Sequence, residues 1–278
     1  MNISILIMYF LTSFGCYSSY LFSQSGINNI RNEFSISADS LIRIGEKYQE
    51  KGDIAKSIEF FEKGLAIYKG SNNYKKIGDC YSFIAISYYY KGDYSNAISN
   101  FEISRINYEK ADYHKGISSI NNNIGGIYNH IGNYIKSLEY YQNVLKIEKK
   151  TVNKDVIAAT TQNIGVIYTK LEDYEKAKEY LYKANIIFYN LNDEKGIAQN
   201  LASLAKISIK QDRLTEAKEK LEKSLEIVNQ TKDDQLRLEV LLNLGLLYEK
   251  QSLLKKSIEN YNSCLLLSRK MNNRQYLS

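Results

Sequence analysis

From residue 38 onward the apolar residues recur at three- and four-residue steps, the spacing of one helix face, and not at the alternate positions of a strand. Ile44, Gly45 and Tyr48 share one face of a first helix, and Ile58, Phe61, Leu65 and Ile67-Tyr68 form the inner face of a second. Polar stretches separate these runs. Gly70-Ser71-Asn72-Asn73, Leu191-Asn192-Asp193 and Thr231-Lys232-Asp233-Asp234 break one helix and cap the next. Inside each pair a short turn ends in Asp53, Asp93, Asn133 or Asp173, whose side chains suit an N-cap because they accept the unpaired N–H groups of a first helical turn.

The pattern repeats every forty residues. Gly52-Asp53 recurs as Gly92-Asp93 and Gly132-Asn133, and the same step reaches Glu172-Asp173, Asp212-Arg213 and Ser252-Leu253. A small residue precedes each turn: Gly45, Ala85, Gly125, Gly165, Ala205 and Gly245. Three positions later stands Tyr48, Tyr88, Tyr128, Tyr168, Ser208 or Tyr248. A second small position holds Ser57, Ala97, Ser137, Ala177, Ala217 and Ser257, followed four residues on by Phe61, Phe101, Tyr141, Leu181, Leu221 and Tyr261. A single helix pair cannot bury its apolar face, so such units must stack. The register predicts an all-α array of six antiparallel helix pairs over 38–278, with units near 38–77, 78–117, 118–157, 158–197, 198–237 and 238–277.

The small–x–x–Tyr of the first helix, the Gly92-Asp93-Tyr94 turn and the Ala/Ser-to-Phe/Tyr spacing of the second helix resemble the tetratricopeptide repeat family. Asn123-Ile124-Gly125, Asn163-Ile164-Gly165 and Asn243-Leu244-Gly245 are similar to a signature of its longer repeats, those of kinesin light chain and of bacterial sensor proteins. The chain departs from the 34-residue form in its longer period, and it contains no tryptophan or proline. The resemblance implies a right-handed superhelical solenoid whose first helices line a concave groove for an extended peptide or a partner helix.

Counting from the small residue, the resemblance assigns to the groove Asn122, Asn123 and Asn129 in the third unit, and Gln162, Asn163 and Lys170 in the fourth. Lys206 and Lys210 in the fifth and Asn243 in the sixth follow. Carboxamides carry a donor and an acceptor, so Asn123, Asn163 and Asn243 are expected to clamp a peptide backbone as a ladder. Phe83, Tyr89 and Tyr90 are expected to form an aromatic pocket near one end, and the lysines to favour an acidic ligand. The family's clamp for chaperone tails does not carry over, because Ile42 and Glu46 occupy the positions it needs.

Composition removes most other chemistry. The chain has three cysteines and two histidines, too few for a disulfide framework, and no His, Cys or carboxylate spacing suggests a metal. Gly125-Gly126 lacks the spacing of a phosphate loop, and no nucleophile–base pair appears. The expectation is a non-enzyme without cofactor or metal. The net charge is +6 over 37 basic and 31 acidic residues, and acidic side chains interleave with basic ones in every unit. That is a solvated surface, with no stripe for nucleic acid.

Residues 1–23 carry no charged side chain, and Ile3 to Leu11 form an apolar run broken only by Ser4. This length matches the core of a secretory signal peptide and falls short of a membrane span. The segment is therefore read as a signal peptide or N-terminal anchor, with 24–37 as a lead-in. Export to the periplasm or cell envelope follows, with membrane association only through this segment. The sequence stops soon after Met271-Asn272-Asn273-Arg274, which matches the linker before a further unit. Two other readings therefore stand beside a peptide-binding scaffold of the envelope: the sensory region of a signalling protein, and an envelope-assembly lipoprotein acylated at Cys16. The last unit, with no polar cap, is a candidate homodimer surface.

Overall fold

The computed structural model describes residues 37–151 and 153–277. Among them are twelve helices and no strand. They pair as α1 (Ala38–Glu50) with α2 (Ile54–Gly70), α3 (Tyr74–Tyr90) with α4 (Tyr94–Lys110), and α5 (His114–His130) with α6 (Tyr134–Thr151). The later pairs are α7 (Lys154–Lys170) with α8 (Tyr174–Leu191), α9 (Glu194–Lys210) with α10 (Leu214–Thr231), and α11 (Asp234–Lys250) with α12 (Leu254–Leu277). Each helix packs on its chain neighbours, and α9 also touches α7 and α11. First helices of successive units thus lie side by side on one face of a helical-repeat solenoid. The leader expected at 1–23 and most of the 24–37 lead-in, with Cys16, lie outside the described residues. No described helix is long and apolar enough to cross a membrane.

The expected caps form. Asp53, Asp93, Asn133 and Asp173 accept the backbone N–H of Lys56, Asn96, Lys136 and Lys176 at 3.1 to 3.2 Å. Between units Asn73, Asp193 and Asp233 do the same for Lys76, Gly196 and Leu236. The first helices of the later units begin at 74, 114, 154, 194 and 234, with side-chain caps from Asn73, Asn153, Asp193 and Asp233, while Tyr113 precedes 114 without one. Boundaries drawn at 78, 118, 158, 198 and 238 therefore fall one turn inside a helix, with the forty-residue period unchanged.

The small residues are required by the partner helix. A Cβ on Gly45 would sit 2.5 Å from the Phe61 ring, and one on Gly245 would sit 2.4 Å from Tyr261. In two units the second small position adds a hydrogen bond across the same contact. The Ser137 hydroxyl donates to the Gly125 carbonyl at 2.6 Å, and Ser257 to Gly245 at 2.9 Å. The recurring tyrosine has a partner as well: Tyr48 stacks on Phe60, Tyr128 on Tyr140 and Tyr168 on Tyr180, with centroids 5.4 to 5.6 Å apart. Lys56, Lys136 and Lys176 lie over the same tyrosines and shield the stacks from water. Cys80 and Cys264 are free and buried, and burial pushes the Cys80 thiol up to about 12. They fill space.

Candidate functional site

The first helices present one stripe of side chains away from their second helices, and two cavities open along it. One, of about 390 Å³, is walled by Tyr89, Tyr90, Asn122, Asn123 and Gly126, with Ile86, Phe101, Ile127 and Tyr141 beneath. It brings the expected tyrosines of the second unit against the expected carboxamides of the third. Tyr89 also touches the rings of Tyr90, Tyr94 and His130, and the Tyr94 hydroxyl lies 2.9 Å from His130 Nε2. This aromatic edge holds the tyrosines in place. Phe83 is not part of it. Its ring stacks on Phe61 at 5.2 Å, and it faces a separate recess with Ile42, Arg43 and Asp79. The single aromatic pocket expected from Phe83, Tyr89 and Tyr90 is therefore split, because Phe83 sits almost two turns earlier on α3.

The second cavity, of about 320 Å³, collects Lys170, Lys206 and Lys210 with Thr169, Ser203, Val166, Tyr134, Glu172 and Glu239. Three lysines from two neighbouring first helices thus meet in one space. Burial, together with the nearby Lys206, holds the Lys170 ammonium below the usual lysine range. Its Nζ donates to Asn129 Oδ1 at 2.7 Å and lies over the Tyr134 ring. Asn129 and Lys170, assigned separately to a ligand, are here each other's partners. Burial lifts the Glu239 carboxyl above its usual range against the pull of Lys206.

Asn123, in the wall of the first cavity, and Asn163, at the same slot of the next first helix, are partly exposed, with no side-chain hydrogen bond among the described residues. Asn122 is free in the same way. Gln162 and Asn243 are sunk between neighbouring helices, 5% and 8% exposed, so the open part of the ladder runs from the third unit to the fourth. Sequence reasoning passed over Tyr134 and Glu239. Glu239 occupies a groove-facing slot of the sixth unit. Tyr134 opens a second helix, and only the stacking of units brings it to this face.

Models of the tetratricopeptide repeat match residues 116–184 and 196–270, and a second such model matches 38–71. The chain belongs to the tetratricopeptide repeat family. No curated protein sequence matches it. Among solved structures, BtubC (BKLC) from P. vanneervenii is 19% identical, with 81% of this chain and 91% of that chain covered and a TM-score of 0.62. A signal transduction ATPase with numerous domains and a tetratricopeptide repeat sensor, from Pyrococcus horikoshii, is 20% identical over 86% of this chain and 38% of that one, TM-score 0.68. The Rap conjugation gene regulator of the plasmid pLS20, in complex with a Phr peptide, is 16% identical over 84% and 74%, TM-score 0.58. At these identities the likeness is one of fold.

Proposed function

We propose that the chain is a non-catalytic scaffold that holds an extended peptide or protein segment along the stripe from Tyr89 to Lys210. The observation that carries this reading is the pair of free carboxamides at one slot of adjoining first helices, Asn123 in the wall of the aromatic cavity and Asn163 on the helix that supplies Lys170 to the lysine-lined one. A peptide backbone offers alternating donors and acceptors, which a carboxamide can meet whatever the side chains are. Tyr89 and Tyr90 supply apolar contact area with little conformational freedom to lose. The lysines add attraction for an acidic segment, strongest at low salt. The peptide-bound regulator of similar fold lends support by analogy. The uncharged leader supports an envelope location, which cell fractionation with and without residues 1–23 tests.

A peptide selected from a random library on the purified protein tests the groove. In Asn123→Ala/Asn163→Ala, with the circular dichroism spectrum unchanged, affinity is expected to fall about five- to 150-fold, since two hydrogen bonds of about 0.5–1.5 kcal/mol each are lost. Undiminished binding in that folded variant refutes the reading.

A further inference from the structure

A larger cavity lies away from the groove, on the side where the second helices α4 and α6 run next to each other. It measures about 490 Å³, within the roughly 300–1,000 Å³ of small-ligand sites. Glu102, Arg105 and Glu109 on α4 form one wall, and Glu139, Asn143, Lys146 and Lys150 on α6 form the other. The floor is α5, through Ile117 and Asn121.

The floor is unusual for this array. In the forty-residue register the position of Asn121 is Leu41, Tyr81, Leu201 and Leu241 in four other units, and Thr161 in the fifth. Thr161 satisfies itself by donating to the Ile157 carbonyl at 2.6 Å. Asn121 does not. It is only 5% exposed, and its carboxamide makes no hydrogen bond among the described residues. Its polar atoms are not sealed in protein either, so what surface they keep opens into the cavity they line. A carboxamide this buried without a protein partner is unfavourable to keep, and a leucine at this place would fill the junction as it does in two later units.

The walls divide by how far their charges are paired. Glu102 accepts from Arg105 and from the Tyr140 hydroxyl, and Arg105 also bonds Glu109. That group is internally satisfied. Glu139, Lys146 and Lys150 make no ion pair among the described residues. Along α6 the free carboxylate and the first free ammonium are seven residues apart, about 10 Å at the helical rise. Three extended residues of peptide span about the same length.

We propose that this outer cavity is a second ligand site, separate from the groove, for a small zwitterion of about tripeptide length. Its ammonium points to Glu139, its carboxylate to Lys146 and Lys150, and an amide of its middle bonds Asn121.

Isothermal titration with tri-alanine, a zwitterion of this length without side-chain chemistry, tests the site. Saturable binding is expected, weakened at least tenfold by N-acetylation or C-amidation of the probe. Asn121→Leu is expected to abolish binding without lowering the melting temperature. Lys146→Gln/Lys150→Gln, which leaves the floor untouched, is expected to weaken it at least tenfold. Asn123→Ala/Asn163→Ala is expected to leave it unchanged. Absence of saturable heat at millimolar probe overturns the proposal. So does binding that survives both cavity variants, or binding lost only in the groove variant.

Discussion

At the scale of single residues, the same backbone conformation is met by different chemistry along the chain. The turn inside each pair passes through the left-handed region. Gly52, Gly92 and Gly132 hold it at φ of 77 to 79°, and Glu172, Asp212 and Ser252 at 58 to 60°. A side chain there meets its own backbone, which glycine avoids. Ser252→Gly is expected to raise the unfolding free energy by about 0.5–1 kcal/mol, read from urea denaturation. Glu239 lines the lysine cavity with a carboxyl whose charge burial opposes. Its folded carboxyl is held above the usual range, so the stability it contributes is full below the unfolded value of about 4.3 and is lost as pH rises through the folded one. Glu239→Gln is therefore expected to melt higher than the native chain at pH 7 and level with it at pH 3.5. A gap of the same size at both values would show that the carboxyl is not the cause.

Elements are held together in pairs by the small positions. A Cβ on Gly165 would lie 2.7 Å from Leu181 Cγ and 3.2 Å from the Ala177 carbonyl. Alanine at the matching positions 85 and 205 shows that a methyl group can be fitted when the facing helix adjusts. A branched side chain cannot be fitted in this way. Gly165→Val is expected to destabilise by about 1–3 kcal/mol through overpacking. Chemical denaturation measures this, and circular dichroism should show helices retained at low denaturant. Because α7 carries Asn163 and Lys170, the same variant should also weaken the selected groove peptide. The cap residues act on the same scale, each fixing where a helix begins and hence which side chains face the groove.

For the whole molecule, stability is a sum over units and their junctions, and the junctions are unequal. Helix α9 has eleven of its 17 residues buried and touches first helices on both sides. The last helix instead exposes Leu254, Ile258 and Leu266. Hydrogen exchange is expected to be slowest in α9 and fastest in α1 and α12, since opening an end breaks one junction and opening the middle breaks two. Uniform protection along the chain would mean that the array opens as one block.

The helices, their pairing, the caps and the forty-residue period were legible in the residues, because each rests on contacts close along the chain: a cap with its own first turn, Gly45 with Phe61, Tyr168 with Tyr180. The candidate groove was half legible. Its lysines and Asn123 could be placed by counting. That Phe83 leaves Tyr89, that Asn129 is bound by Lys170, and that Gln162 and Asn243 are sunk between helices depends on how far apart successive units sit. Asn121 shows the same division. The register marks it as a polar residue among leucines, and only the packing of α4 against α6 leaves a space above it. Local spacing determined the elements and their order. The distances between units, set by the bulk of side chains meeting across junctions, decided which of those residues are free to meet a ligand.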